Sequence, residues 1–328
     1  MSDVMPPLRS HLMTLEPRWR EWVDTLPALR DRAADTWDLE VGPFLSQSVG
    51  SAVLSVTRRG RPAALKLFTP DEHFTRQVGT MEAARGRGYA HVYESDVDHG
   101  AVLMELLGRS ADEEWRVNYG NVPAELLLDS LAIEPMLHAR TQTLIEAWTL
   151  PLDVAPEVDE KTHRAAQLAE QIEYWYRDTS IELDAVVKRA LLFAEQRLQA
   201  RNPDRQVVCH GDPHSGNLLA VTSPRPGAPA GYVWVDPDGF RCEPDFDLGV
   251  AVRESNRLVL SSEDPVVMLR AWCAQLAGET GTDAEAIWQW GFLERVANGL
   301  YLCHRGMPEQ GEQFLKAADW LISRRSFG

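Results

Sequence analysis

The chain has 328 residues and a mass of 36.8 kDa, enough for one large core or two modest ones, and two lobes are the arrangement that length favours. Hydrophobic residues make up 44% of it, with 11 tryptophans, while the opening MSDVMPPLRSHLM lacks the apolar centre of a signal peptide and no stretch of about eighteen apolar residues follows, so a globular cytoplasmic protein is expected rather than a membrane or exported one. The formal net charge of −16, from 33 basic and 49 acidic residues, excludes a general binder of nucleic-acid backbones; it fits simple solubility, or a pocket that attracts a cationic small molecule.

Taken in order, Glu16 to Asp38 carries Trp19, Trp22, Val23, Leu26, Leu29 and Ala33 at three-to-four spacing, the pattern of a helix lying on a sheet. Pro27 is expected to kink or break it. From Val41 to Phe68 the pattern shortens to strands: GPFLSQSVG, SAVLSVTR, a turn at Arg59 to Pro62, and AALKLF. The first turn holds Ser48, Gly50 and Ser51, and with a single glycine it reads in isolation as an ordinary hairpin. Lys66 is more informative. Flanked by Ala63, Ala64, Leu65, Leu67 and Phe68, its charge needs a partner, unless the strand is an edge from which the ammonium reaches water.

Thr69 to Glu72 then opens a helix running to about Arg87, with Phe74, Val78 and Met81 on one face. Gln77 lies eleven residues after Lys66, and Glu82, eight after Phe74, returns to roughly the same inward face. A strand at His91 to Glu94 precedes the apolar AVLMELL, Ala101 to Leu107, which taken alone is a plain core strand. Beyond Gly108 the chain turns helical: Asn121 to Pro123 caps a helix to about Arg140, the linker LPLDVAPEVDE follows, and further helices run over Val158 to Asp178 and Ile181 to Ala200. The middle helix gathers Glu170, Glu173, Tyr174, Trp175, Tyr176 and Asp178, which serve either as core or as an acid-lined wall for a substrate. After Glu243 to Gly249, where another helix begins, helices are expected at Asp264 to Gly278, Asp283 to Cys303 and Pro308 to Arg324. The four cysteines, Cys209, Cys242, Cys273 and Cys303, show no metal-ligand spacing and are expected to be reduced.

The stretch from Val207 to Gly239 carries the chemistry. It reads as an apolar strand, the turn His210-Gly211-Asp212, a second strand after Asn217, a Pro/Gly-rich tongue from Thr222 to Gly231 with no expected role, and a third strand ending in Asp236-Pro237-Asp238. Asp212, Asn217, Asp236 and Asp238 all fall at strand ends. Oxygen donors on short loops, with no His/Cys ligand set, suit a hard cation such as Mg²⁺.

His210, Asp212 and Asn217 keep the interval of the kinase catalytic loop, with Gly211 in place of its arginine and Asp236-Pro237-Asp238 in place of D-F-G. The motif HGDPHSGN resembles the aminoglycoside phosphotransferase family of small-molecule kinases. Lys66, Arg85-Gly86-Arg87-Gly88, Met104-Glu105, Asp236-Pro237 and Glu294-Arg295-Val296 bring it nearest the subset with the streptomycin 6-phosphotransferases and hydroxyurea phosphotransferases. The resemblance implies an α+β, bilobal protein-kinase-like fold: residues 1–107 as a small nucleotide lobe with an antiparallel sheet, and 108–328 as a larger, mainly helical catalytic and substrate lobe. It also implies ATP and Mg²⁺ as cofactors and a small, cationic acceptor such as an aminoglycoside, in an antibiotic-resistance role. Asp212 would accept the proton of the acceptor hydroxyl, and His210 would brace the loop. Asn217 and Asp236 would hold the metal, and Asp238 would either extend that site or only cap the turn. Lys66 and the Ser48, Gly50, Ser51 turn would hold phosphates; Met104 would line the adenine pocket, with backbone groups of Glu105 and Leu107 bonding the adenine edge. Asp247 would steady the catalytic loop. The departure is Gln77, where the family carries the glutamate that pairs with the lysine, and Glu82 is the rival partner.

A metabolic kinase acting on an amino sugar, a choline-like alcohol or an amino alcohol shares every motif named. A nucleotide-binding regulator with impaired catalysis is suggested by Gln77, against the intact Lys66, Asp212, Asn217 and Asp236. A protein kinase fits least, since no activation segment ending in A-P-E follows Asp236. The pattern names neither the acceptor nor an oligomeric state.

Overall fold

The computed structural model describes residues 17–48, 50–114, 133–179, 181–254 and 256–323. The cap expected at Asn121 to Pro123, and the side chains of Trp19 and Ser48, lie outside the described residues.

The N-terminal part is built on an antiparallel sheet ordered β1-β2-β3-β5-β4, from β1 (Leu39–Ser48), β2 (Ser51–Arg58), β3 (Arg61–Phe68), β4 (Val92–Asp96) and β5 (Ala101–Glu105). Period-two alternation sends Ala52, Leu54, Val56, Leu65 and Leu67 to one face, where they pack on Trp22, Val23, Leu26, Ala33 and Trp37 of helix α1 (Pro17–Trp37). That apolar stripe explains a correction: Pro27 sits inside α1 without ending it. The lost backbone hydrogen bond is outweighed by burial of residues on both sides of the proline.

The opposite face packs on helix α2 (Glu72–Ala84), through Phe74 and Val78. Its cap is Asp71, whose carboxylate accepts from the Phe74 N–H at 2.7 Å, and its last residue is Ala84, three residues before the expected Arg87, with Arg85 in the left-handed region closing it.

The C-terminal part is mainly helical. Strand β6 (Leu107–Ser110) leaves the first sheet and joins β8 (Leu218–Val221) and β9 (Tyr232–Trp234), while β7 (Val207–Cys209) pairs with β10 (Phe240–Cys242). Around them stand α3 (Ile133–Ala147), α4 (Arg164–Arg177), α5 (Asp184–Gln199), α6 (Asp245–Arg253), α7 (Asn256–Ser261), α8 (Pro265–Thr280), α9 (Ala284–His304) and α10 (Pro308–Ser323). Helix α4 starts later than its apolar pattern suggests, because Asp159 bonds the Thr162 N–H in a turn and His163 then caps the helix. Helix α9 is buried on nearly all sides and forms the axis of this part. It crosses α6 at Gly249 and Gly291, where a Cβ on Gly249 would stand 2.5 Å from Trp290 Cβ. That approach sets the distance between the side chains at the far end of α6 and those of α9.

All four cysteines are free thiols. Among the described residues no helix is long and apolar enough to cross a membrane.

The tongue is not idle. Arg225 donates through Nε to Glu105 Oε2 at 3.0 Å, pairs with Oε1 through Nη2, and bonds the carbonyls of Gly86 and Tyr89. The Gly88 N–H donates to Gly227 O at 2.7 Å. The tongue therefore ties the end of β5 and the turn after α2 to the C-terminal part, a contact between segments too far apart in sequence to be read locally.

Candidate active site

Lys66 lies on β3, alternating with Leu65 and Leu67, so it faces α2 while they face α1. It is only 3% exposed. Its Nζ bonds Gln77 Oε1 at 3.3 Å, pairs with Asp236 Oδ1, and sits 3.8 Å from the centre of the Phe68 ring. Burial lowers the Lys66 pKa, and Asp236 works against that shift. Glu82 is exposed and accepts from Ser95 Oγ at 2.6 Å, so the face assigned to it from its spacing to Phe74 is corrected: Gln77 is the helix residue at Lys66. Gly50 adopts φ +84° in the β1–β2 turn, and Ser51 pairs with Phe68, two residues beyond Lys66.

Met104 belongs to an apolar cluster with Ala64, Phe74, Val78, Ala90 and Val102, against which Val53, Leu106, Leu107 and Val235 pack. The Glu105 N–H donates to His91 O at 2.9 Å, and its carboxylate is held by Arg225.

The catalytic loop between β7 and β8 is held from behind. The His210 ring is fully buried; Nε2 donates to Val235 O at 2.9 Å, and Nδ1 accepts from the Asp212 N–H at 3.2 Å. Both ring nitrogens are committed, and burial lowers its pKa, so the imidazole braces the loop in neutral form. Gly211 has φ +94°, and a Cβ there would stand 2.5 Å from Asp238 Cβ, so glycine is required where protein kinases carry arginine. Asp247, fully buried on α6, accepts from the N–H of His210 at 2.8 Å and of Gly211 at 2.9 Å, and from Trp148 Nε1 at 2.8 Å.

Asp212 opens onto a cavity of about 290 Å³ that is also lined by Gly211, Asp238, Arg164, Gln171, Trp175, Glu294 and Tyr301. Asn217 Nδ2 donates to Asp212 O at 3.0 Å, and its Oδ1 accepts no hydrogen bond from the described residues. Asp236 adopts φ +60°, a conformation rare outside glycine and costing about 1–3 kcal/mol, of the kind concentrated at functional sites. Asp238 accepts from His73 Nε2 at 2.8 Å and, through its carbonyl, from Arg76 Nε at 3.1 Å, joining α2 to the β9–β10 loop. The structure thus gathers Lys66, Gln77 and Asp236 in one cluster and Asp212 and Asn217 in the adjoining loop.

Two groups, Arg253 and Glu254, escape a reading of the sequence, and a third, Glu294, enters it only as a piece of the family resemblance. Arg253 Nη2 donates to Asp212 Oδ1 at 2.6 Å; Glu294 accepts from Arg253 at 2.9 Å; Glu254, paired with Arg140, accepts from the Ser215 N–H at 3.0 Å. The Arg253 guanidinium holds the Asp212 carboxyl below its ordinary pKa against the opposing effect of burial. The acids of α4 do not form a substrate wall: Glu173 pairs with Arg177 at 3.4 Å and Asp178 lies 3.7 Å from His304, while Leu168, Gln171 and Trp175 are the α4 residues at the cavity besides Arg164. The only sequence signal for these contacts is the Glu294-Arg295 pair, which carries no spacing rule of its own.

A family model described as aminoglycoside/hydroxyurea antibiotic resistance kinase matches residues 37–299. The hydroxyurea phosphotransferase of Kitasatospora aureofaciens is 25% identical over 93% of this chain and 81% of its own length, and the streptomycin 6-kinase of Streptomyces glaucescens is 25% identical over 85% and 84%. Among solved structures, a thermostable mutant of aminoglycoside phosphotransferase APH(4)-Ia in ternary complex with AMP-PNP and hygromycin B superposes with a TM-score of 0.62 at 11% identity, covering 91% of this chain and 99% of that one. The choline kinase LicA from Streptococcus pneumoniae gives a TM-score of 0.54 at 12% identity over 92% and 99%. The fold is therefore the bilobal kinase-like one, and the chain is a phosphotransferase that belongs to the aminoglycoside/hydroxyurea antibiotic resistance kinase family.

Proposed function

We propose that this enzyme transfers the γ-phosphoryl group of ATP, as its magnesium complex, to a hydroxyl of a small molecule, with residues 1–107 holding the nucleotide and residues 108–328 holding the acceptor. The observation that carries this is the meeting of Lys66 with Asp236 across the cleft, beside Asp212 and Asn217 on a braced loop that opens onto a cavity. The apolar cluster around Met104 suits an adenine face, with the Glu105 carbonyl and the Leu107 N–H offered to its edge. Lys66 would position the phosphates. Asp212 would orient the acceptor hydroxyl and take its proton.

The donor set fits a magnesium ion. Asn217 Oδ1 and Asp236 Oδ2 accept no hydrogen bond from the described residues, both are hard oxygens, and no cage of three or more acidic, His or Cys side chains occurs among the described residues, in keeping with an ion held by one or two protein ligands and substrate phosphates. The ion supplies charge neutralisation on the phosphates. Asn217→Ala and Asp236→Ala are each expected to weaken ATP binding in Mg²⁺ and to leave it less sensitive to the metal. Titrating nucleotide affinity against Mg²⁺ checks this; an unchanged dependence in Asp236→Ala removes that residue from the metal site.

Gln77→Glu is expected to raise kcat/KM for ATP by a few-fold, since a bond ionised on both sides is roughly twice as strong as one to a neutral amide and would hold Lys66 more firmly. An unchanged or lower value would mean that Asp236 alone fixes the lysine.

Relatives named for streptomycin, together with the net charge of −16, support a cationic aminoglycoside acceptor and an antibiotic-resistance role. A second reading, a small uncharged hydroxyl compound of the hydroxyurea kind, is favoured by one observation: Asp212, Asp238 and Glu294, the acids at the cavity, are each already paired with Arg253, His73, or both Arg164 and Arg253. ATP-consumption assays with streptomycin, hydroxyurea, amino sugars and choline-like amino alcohols test both. A kcat/KM that falls with salt marks a cationic acceptor, and a salt-insensitive one marks the neutral reading. No stimulation by any acceptor would favour a nucleotide-binding regulator instead.

A further inference from the structure

Helix α6 touches the catalytic loop at both ends. Asp247 in its first turn binds the His210 and Gly211 N–H groups, and Arg253 at its last residue reaches Asp212 itself. We propose that Arg253 is a positioning residue for the transfer: it holds the Asp212 carboxylate in one orientation with Oδ1 occupied, so that the acceptor hydroxyl meets Oδ2. The proposal rests on the reading of Asp212 as the base.

The geometry is that of a buried clamp. Arg253 is 7% exposed, and its two terminal nitrogens divide between Asp212 Oδ1 at 2.6 Å and Glu294 Oε2 at 2.9 Å. The second oxygen of Glu294 is held by Arg164 Nη2 at 3.3 Å, so charges alternate from the catalytic loop through α6 and α9 to α4. The close crossing at Gly249 and Gly291 brings α6 near enough to α9 for one guanidinium to span both carboxylates. A planar fork does this with little loss of freedom, whereas an ammonium is a single point charge. The Asp212 side chain keeps 41% of its surface open, and His214 Nε2 lies 3.6 Å from Oδ2. In the step this arrangement serves, the hydroxyl proton passes to Asp212 Oδ2 and the acceptor oxygen bonds the γ-phosphorus. The bond from that phosphorus to the bridging oxygen breaks, and its electron pair leaves on ADP.

The test compares kcat, and KM for ATP, in wild type, Arg253→Gln, Arg253→Lys, Asp212→Ala and the double variant Asp212→Ala/Arg253→Gln, with melting temperature and ATP affinity as checks on folding. Arg253→Gln is expected to lower kcat about 10²-fold with KM for ATP within about threefold, the cost of a reacting group displaced by about an ångström. Arg253→Lys is expected to lose about tenfold, keeping the charge without the fork. The double variant is expected to be no slower than Asp212→Ala, to within about threefold, because groups acting as one unit are not additive. A further tenfold loss in the double variant, or Arg253→Gln within about threefold of wild type, would overturn the proposal. Should Arg253→Gln not fold, Arg253→Lys decides in the same way, a kcat within about threefold of wild type counting against. A wild-type rate in Asp212→Ala would instead remove the base reading on which the proposal stands.

Discussion

Asp212→Ala is expected to lower kcat by 10²- to 10⁴-fold, roughly 3 to 5 kcal/mol of barrier, while ATP affinity stays within about threefold. The asymmetry follows from where the carboxylate sits: it opens onto the cavity beside Trp175 and Tyr301, whereas Lys66, Asp236 and the Met104 cluster form the side proposed for the nucleotide. Its removal leaves Arg253 paired with Glu294, so the fold loses one ion pair and gains no isolated buried charge. Single-turnover kinetics with saturating nucleotide separate the chemical step from binding. Turnover within a factor of about three of wild type would mean that Asp212 is not the base.

Asp247→Ala is expected to destabilise the protein by about 3 to 5 kcal/mol and to lower kcat with it, since each of three buried donors left without a partner costs about 1–3 kcal/mol and relaxation recovers part of the sum. The donors are the N–H groups of His210 and Gly211 and the indole N–H of Trp148, all bonded within 2.9 Å. Burial raises the Asp247 carboxyl pKa, and those same hydrogen bonds oppose the rise. Denaturant unfolding reads the stability loss directly. A loss below about 1 kcal/mol with normal turnover would show that the β7–β10 pairing and the His210 ring hold the loop without it.

The candidate catalytic loop is legible in the sequence because its residues are neighbours there: His210, Gly211, Asp212 and Asn217 lie on one loop, and the physical demands on them, a left-handed glycine and a hydrogen bond from Asn217 to the Asp212 carbonyl, are local. Lys66 is legible for another reason, a charge among apolar strand residues, and it lies 170 residues from Asp236, the partner it requires. Strands and most helices follow from periodicity. What periodicity misses is set by contacts between distant segments. Glu82 has nearly the right angular position but faces Ser95, because an eight-residue step advances past the buried stripe and β4 offers it a hydroxyl. Arg225 occurs in a Pro/Gly-rich tongue with no visible demand, and the three residues it ties down, Glu105, Gly86 and Tyr89, lie more than a hundred residues upstream. Arg253 and Glu254 carry no local pattern in the sequence that marks them. Only the packing of α6 against α9 and the catalytic loop turns them inward.

The central claim is that the γ-phosphoryl group of ATP moves to an acceptor hydroxyl at Asp212. The most direct measurement follows γ-labelled ATP with Mg²⁺ and each acceptor of the panel, in wild type and Asp212→Ala, with products separated and weighed. The account predicts that label appears on one acceptor as a phosphate ester, with one ADP formed per label transferred, and that Asp212→Ala yields at least about a hundredfold less. Label released only as inorganic phosphate at the same rate with or without acceptor, or an ester formed equally well by Asp212→Ala, would contradict it.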